Sequence, residues 1–293
     1  CALPIFHQST DVAADDSEYG DPDHVYQPVA ENFTQIRQHL HTSRFDDQPA
    51  ELEYWGKREF NSLRPFLEQR KHDGFIRECH GDMHLRNLVW FNDQPLAFDC
   101  LEFNPALRWI DTLSEVAFLV MDLQDRKQPQ LAQRFLNSYL ERCGDYQGMR
   151  VFNFYLVYRA LVRAKVDAIR AGQPSITDAE RRKAEEEFYA YLNLALSYTR
   201  RRKPKLIITR GMSASGKSTL TQPLLELMGA IRLRSDVERK RLFGIGPGME
   251  STAEMDKGIY TVEAGVKTYE KLRLLAQALL EAGITVIVDA AFL

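Results

Sequence analysis

The 293-residue sequence predicts an α-rich region followed by an α/β region built on a parallel sheet. Three observations carry this. Between Asp111 and Arg200, four segments hold apolar residues at helical spacing, at about 111–125, 129–142, 150–171 and 178–200. After Pro204, short apolar runs alternate with helical patterns, as βαβ units and a parallel sheet require. Between one such strand and helix lies Gly211-Met212-Ser213-Ala214-Ser215-Gly216-Lys217-Ser218, of the form G-x-x-x-x-G-K-S/T, a phosphate-binding loop. The boundary falls near residues 200–204, giving domains at 25–200 and 204–293.

The elements follow in order. Val29, Phe33, Ile36 and Leu40 predict a helix over 28–41. A second amphipathic stretch runs over 50–70, where Pro65 should break or kink it. Phe75–Cys79 reads as a strand, 80–87 as a polar loop, Leu88–Phe91 as a second strand, Asn92–Pro95 as a turn, and Leu96–Phe98 as a third strand ending at Asp99. Gly144 and Gly172 suit helix ends, and Thr177 or Asp178 suits a helix start. Beyond Pro204, strands are predicted at 205–209, 230–233 and 284–288, and helices at 219–228, 235–243 and 253–282, the last capped by Gly283. No internal repeat is evident.

Bulk properties exclude some classes. A hydrophobic content of 44% supports packed cores, and a net charge of −3 gives no basic field for a dedicated nucleic-acid binder. The one basic cluster, 200–205, suits a solvated helix C-terminus. Cys1, Cys79, Cys100 and Cys143 show neither C-x-x-C nor zinc spacing, which fits reduced thiols in the cytoplasm. No run approaches the roughly 18 apolar residues of a membrane span. The chain starts at Cys1 and stops four residues past an apolar strand, so it reads as a fragment whose Ala2–Ile5 resembles translated adapter. Residues 1–24, with Asp11, Asp15, Asp16, Glu18, Asp21 and Asp23, read as a poorly ordered arm.

In the phosphate loop, backbone N–H groups from Gly211 and from Ser213, Ala214, Ser215, Gly216, Lys217, Ser218 and Thr219 would cradle ATP phosphates at a helix N-terminus. Lys217 would reach the terminal phosphates and Ser218 would ligate Mg²⁺. Asp236 lies at the end of the second strand of this region, either as a base toward an acceptor hydroxyl or as a helix N-cap. Arg239 would contact substrate or lie on a solvated face. Asp289 ends the third strand, where a carboxylate could hold Mg²⁺ through water.

A second constellation sits at His80-Gly81-Asp82-Met83-His84-Leu85-Arg86-Asn87, with Asp99 beyond it. Protein kinases use H-R-D-x-x-x-x-N and then a metal-binding aspartate, and Asp82 to Asn87 has the same five-residue step. His80, Asp82 and His84 could instead form an H-x-D-x-H metal cluster, although zinc hydrolases need a further ligand and usually a base. His80-Gly81-Asp82 with Asn87 and Asp99 resembles the aminoglycoside phosphotransferase branch of the kinase-like fold, over roughly 25–195. The resemblance implies Asp82 as catalytic base, Asn87 and Asp99 as metal ligands, and His80 as a support of the loop backbone. Leu107–Asp111 resembles the segment whose aspartate braces that loop; Asp111 equally suits a helix N-cap. A kinase-like C-terminal lobe followed by a phosphate-loop domain is similar to bacterial two-domain proteins that join such a lobe to a P-loop kinase or AAA-type ATP-binding domain.

These readings imply an ATP- and Mg²⁺-dependent phosphotransferase acting on a small-molecule hydroxyl, with no nucleic-acid or membrane partner. Two alternatives stay open: a nucleotide-switched binding or regulatory protein, and a kinase-like lobe that works under a regulatory phosphate-loop half. These 293 residues alone are expected to have little transferase activity.

Overall fold

The computed structural model describes residues 2–39, 47–200, 203–212, 215–245 and 258–292. The chain forms two compact units, one of residues 2–128 and 151–200, the other of 129–150 and 201–293.

The first unit begins with α1 (Leu3–Ser9), α2 (Pro22–His39) and α3 (Asp47–His72). β1 (Ile76–Glu78), β2 (Leu88–Phe91), β3 (Gln94–Ala97) and β4 (Trp109–Asp111) follow, then α4 (Thr112–Asp125). α6 (Met149–Ala171, from residue 151 on) and α7 (Asp178–Thr199) complete the unit. β1 pairs antiparallel with β4, and β2 with β3. Asn92 and Asp93, at φ 47° and 58°, join β2 to β3 in the left-handed conformation that two-residue hairpin turns require. α4 is the central helix: every residue from Thr112 to Leu123 is buried, and the Asp111 carboxylate caps it through Leu113 N–H. α7 opens on a capping box between Thr177 and Glu180.

Two features of this unit differ from the sequence reading. α3 runs through Pro65 without the break that was one of its two expected effects. An interior proline costs about 3 kcal/mol. Leu52, Trp55, Phe60, Leu63 and Leu67 are buried along the helix on both sides of it, and each such side chain contributes about 1.5–3 kcal/mol. The expected arm at 1–24 is built into the unit from Ala2 onward. Pro4 and His7 are buried, Val12 bridges Arg77, Ala13 N–H donates to Ile76, and Glu78 N–H donates to Asp11. The acidic composition that suggested disorder is matched by cations of α3: Lys71 pairs with Asp21 and Arg64 with Asp23, both at 2.6 Å.

The second unit contains α5 (Pro129–Cys143), β5 (Leu206–Arg210), α8 (Lys217–Met228), β6 (Ile231–Arg234), α9 (Ser235–Leu242), α10 (Val262–Glu281) and β7 (Val286–Phe292). Its three strands are parallel in the order β5-β7-β6, so the last strand in sequence is central. Leu225, Ala230 and Ile287 form a buried cluster with Ile207, Leu224 and Met228 packed on it, which seats α8 on the sheet. α5, read from sequence as part of the preceding helical domain, belongs here. Gln133 and Asn137 donate to Ala230 O at 2.7 and 3.0 Å, and Asn137 Oδ1 accepts Arg232 N–H at 2.8 Å. Among the described residues, no helix is long and apolar enough to cross a membrane.

Candidate functional site

The phosphate-loop region gathers most of its predicted residues at the carboxyl end of the parallel strands, where ligands of open α/β sheets bind. β5 ends at Arg210, and Gly211 turns the chain at φ 139°. Gly216, at φ 82°, precedes α8 and offers no capping side chain, so the first-turn N–H groups are left to a ligand. A Cβ at Gly216 would meet no atom within 4 Å; the conformation, not space, calls for glycine. Ser213 and Ala214 lie outside the described residues. The Lys217 ammonium donates to Gly211 O at 3.0 Å, to Met212 O, and weakly to Ser215 Oγ at 3.5 Å. Thr219 follows, exposed, in the first turn of α8.

Asp289 does not end its strand, since β7 runs on to Phe292; it lies within central β7, opposite Arg234 and 6% exposed, and its Oδ2 accepts the Ser218 hydroxyl at 2.6 Å. Thr209 Oγ1 donates to Ala290 O at 3.0 Å and accepts Ala290 N–H at 3.2 Å, tying the loop's own strand to the strand that carries Asp289. A hydroxyl and a carboxylate in contact form a hard oxygen donor pair that fits Mg²⁺. Ser218 and Asp289 would hold that ion, and it would neutralise phosphate charge there. Sequence reading missed Arg232, which donates to Ser218 O and Thr221 Oγ1, both at 3.1 Å.

Asp236 does not end a strand. β6 stops at Arg234 and the chain turns directly into α9, so Asp236 is in the first helical turn, with Arg234 at the N-cap position. Its half-exposed carboxylate pairs with Lys240 at 3.0 Å and receives Tyr260 OH at 3.5 Å. Arg239 lies over the Tyr260 ring and toward Thr268.

In the other unit, the 80–87 loop is held from several sides. His80 Nε2 bonds Phe98 O at 2.8 Å and its Nδ1 accepts Asp82 N–H at 3.3 Å. Both ring nitrogens therefore serve the backbone, which removes His80 from the H-x-D-x-H metal alternative. Asn87 Nδ2 donates to Asp82 Oδ2 at 3.0 Å and to Asp82 O at 3.1 Å, and His84 Nε2 lies 3.3 Å from the same Oδ2. Burial opposes ionisation of Asp82. The hydrogen bond and charge of His84, the Arg159 guanidinium and the Asn87 amide outweigh it, and hold the carboxyl below its ordinary range. Asp99 is exposed at φ 62°, just after Phe98, whose N–H donates to Asn87 O at 3.1 Å and whose carbonyl meets His80. β3 ends at Ala97, so Asp99 lies two residues beyond the strand it was expected to end.

Asp111 caps α4 and is committed to Arg70, through Nε at 2.5 Å and Nη2 at 2.7 Å, and to Tyr155 OH at 3.1 Å. The loop is braced by Glu115 instead, whose Oε1 accepts Gly81 N–H at 2.7 Å. Arg159 Nη1 donates to Gly81 O at 3.1 Å, and Asp122 Oδ2 accepts Leu85 N–H at 2.9 Å. The signal for Glu115 was a lone charge in the apolar run Leu113–Met121. Among the described residues, His7, Cys79 and Glu115 are the one convergent group with metal-ligand atoms. Glu115 already receives Gly81 N–H on one oxygen and His7 on the other, at 2.7 Å each. Burial, then the Glu115 and Asp111 carboxylates, push the Cys79 thiol well up, so it is no nucleophile.

Over 259 residues the chain is 29% identical to the uncharacterized proteins Rv2004c and MT2060 of Mycobacterium tuberculosis and Mb2027c of Mycobacterium bovis. The match covers 88% of this chain and 51% of each relative, so the chain spans about half the length of the curated relatives it matches. No solved structure matches it. Residues 206–293 match the AAA domain family, and this C-terminal segment, with its three parallel strands, is a P-loop domain of that kind.

Proposed function

We propose that the chain is part of an ATP-dependent phosphotransferase that binds ATP and Mg²⁺ at the 211–219 loop and passes the γ-phosphate to a small-molecule hydroxyl. The observation that carries this is the 2.6 Å contact of Ser218 with Asp289, across 71 positions of sequence, at the mouth of a domain matched by the AAA family. Phosphoryl transfer asks a protein mainly for positioning and charge neutralisation. Lys217 and the first-turn N–H groups of α8 supply the positive field, and Asp236 is the candidate to orient the acceptor. The acceptor is a small molecule rather than nucleic acid or membrane, and the setting is the cytoplasm. In the intact protein, Lys217→Ala should abolish nucleotide hydrolysis and transfer, and Asp289→Asn should remove the Mg²⁺ dependence of ATP binding. Unchanged turnover in Lys217→Ala would sink the reading. ATP binding with no transfer over a broad panel of hydroxyl acceptors would favour a nucleotide-switched regulator instead.

A second reading has its own observation. The Asp82–Asn87 contact at 3.0 Å, with Asp82 held ionised, supports a kinase-like centre of the aminoglycoside phosphotransferase type. There Asp82 would orient the acceptor hydroxyl, and Asn87 and Asp99 would hold the metal ion. Loss of transfer in Asp82→Asn with Lys217 intact assigns the chemistry to this loop; full transfer in that variant excludes it.

A further inference from the structure

The amino-terminal segment reaches the 80–87 loop through one buried relay. His7, on α1, is 3% exposed and its Nε2 lies 2.7 Å from Glu115 Oε2. Glu115, on α4, is fully buried, and its other oxygen accepts Gly81 N–H at 2.7 Å. Gly81 immediately precedes Asp82, and its own carbonyl is held by Arg159 at 3.1 Å. The peptide groups on both sides of Gly81 are thus fixed by buried charged side chains. α1 is fastened independently, because Arg77 Nη1 donates to His7 O at 3.0 Å and to Thr10 O at 3.1 Å.

A buried carboxylate needs partners on both oxygens. Glu115 has several rotatable bonds, and nothing in its own helix dictates that one oxygen face Gly81. His7 fixes the other oxygen. We propose that His7 is a positioning residue for Asp82: it holds Glu115 in the orientation that accepts Gly81 N–H. The stretch from His7 to Thr10, part of the 1–24 arm that composition marked, is then a working part of the loop. The catalytic consequence rests on the second reading above; the relay itself does not.

The test uses the full chain. Among its seven histidines only His80 is followed by glycine, so labelling histidine carbonyl carbon and glycine nitrogen together isolates one amide signal, that of Gly81. In His7→Ala, the Gly81 amide proton should move upfield and exchange with solvent at least about tenfold faster, as expected for losing a charge-assisted hydrogen bond. His7→Gln, which keeps an N–H donor, should restore most of the protection. If His7→Ala does not fold, His7→Leu replaces it, keeping volume without a donor. An unmoved Gly81 signal in the folded donor-less variant overturns the proposal, as does equal loss of protection in His7→Gln. A perturbed Gly81 in a protein whose wild type transfers no phosphate supports the relay and separately removes the catalytic reading of the loop.

Discussion

Replacing Gly81 by alanine tests how tightly the 80–87 loop is seated. Gly81 has φ +85°, and a Cβ there would lie 2.6 Å from Leu107 O and 3.2 Å from Leu101 Cδ1. The carbonyl cannot retreat freely: Leu107 N–H is bound to Asn104 O at 3.1 Å, and Arg108 O receives Cys79 N–H at 2.8 Å. The left-handed conformation costs alanine about 1 kcal/mol, and forcing a methyl against fixed backbone adds about 1–3 kcal/mol. The sum, about 2–4 kcal/mol, is a large share of a typical stability of 5–15 kcal/mol. All three tryptophans, Trp55, Trp90 and Trp109, belong to this unit, so their fluorescence in urea follows it alone. With a urea slope of about 2 kcal/mol per molar, the midpoint should fall by roughly 1–2 M. Gly74→Ala is the control: its φ is +77° but its nearest neighbour is a movable Val12 methyl at 3.3 Å, so it should show the conformational cost only. A Gly81→Ala midpoint equal to that of Gly74→Ala would refute the close-packing argument.

Three further outcomes are expected. Asp111→Ala leaves Arg70 buried without its carboxylate and should cost about 3–5 kcal/mol in the same urea assay; a loss below 1 kcal/mol (roughly) would mean the pair is not sealed from water. Asn137→Ala strips a partner from both Arg232 N–H and Ala230 O, costing about 1–3 kcal/mol. The readout is hydrogen exchange of the 231–234 amides, and unchanged protection would argue against α5 covering that strand edge. Burial pushes Asp167 up from 3.8 to about 6, against the pull of Arg163. A raised carboxyl stabilises the fold fully below about pH 4 and loses that contribution as pH rises through about 6. Asp167→Asn, which mimics the protonated form, should therefore match the wild type near pH 4 and exceed it at pH 8; the reverse order would contradict the sign.

The P-loop domain was legible because its motif is a run of consecutive residues, so spacing alone reports it. The helices at 112–125, 129–143, 149–171 and 178–199 were legible because apolar residues recur along each at helical spacing, even in α4, which is buried all round. The contact between Ser218 and Asp289 was not, since it depends on β7 entering between β5 and β6, and sequence order does not dictate strand order. Glu115 went unread for a different reason. It interrupts the apolar run Leu113–Val120, and only the path of the 80–87 loop above α4 gives that charge a purpose. Asp111, two residues before that run, was given the bracing role by resemblance and the N-cap role by local pattern; its pairing with Arg70, 41 positions away, was beyond either.

α5 shows how far family and fold can diverge at a boundary. The AAA match begins at residue 206, yet the compact unit takes in 129–150 as well. β6 explains this. Its inward residues Ile231 and Leu233 are buried, among the described residues it pairs with β7 alone, and a bare edge would expose unpaired N–H and C=O groups. α5 covers that edge with amide side chains one helical turn apart, Gln133 and Asn137, which bond the strand's backbone as another strand would. Arg234–Glu141 at 2.7 Å and Arg134–Glu226 at 2.7 Å extend the seam. Helical period cannot mark Gln133 and Asn137 in sequence, because an amide facing water and one facing a strand edge have the same spacing. The chain therefore leaves one unit at residue 128, completes the edge of the P-loop sheet with α5, and returns at 151 before β5 begins the sheet itself. The backbone chemistry of one strand edge, rather than the match to a family, sets where that unit begins.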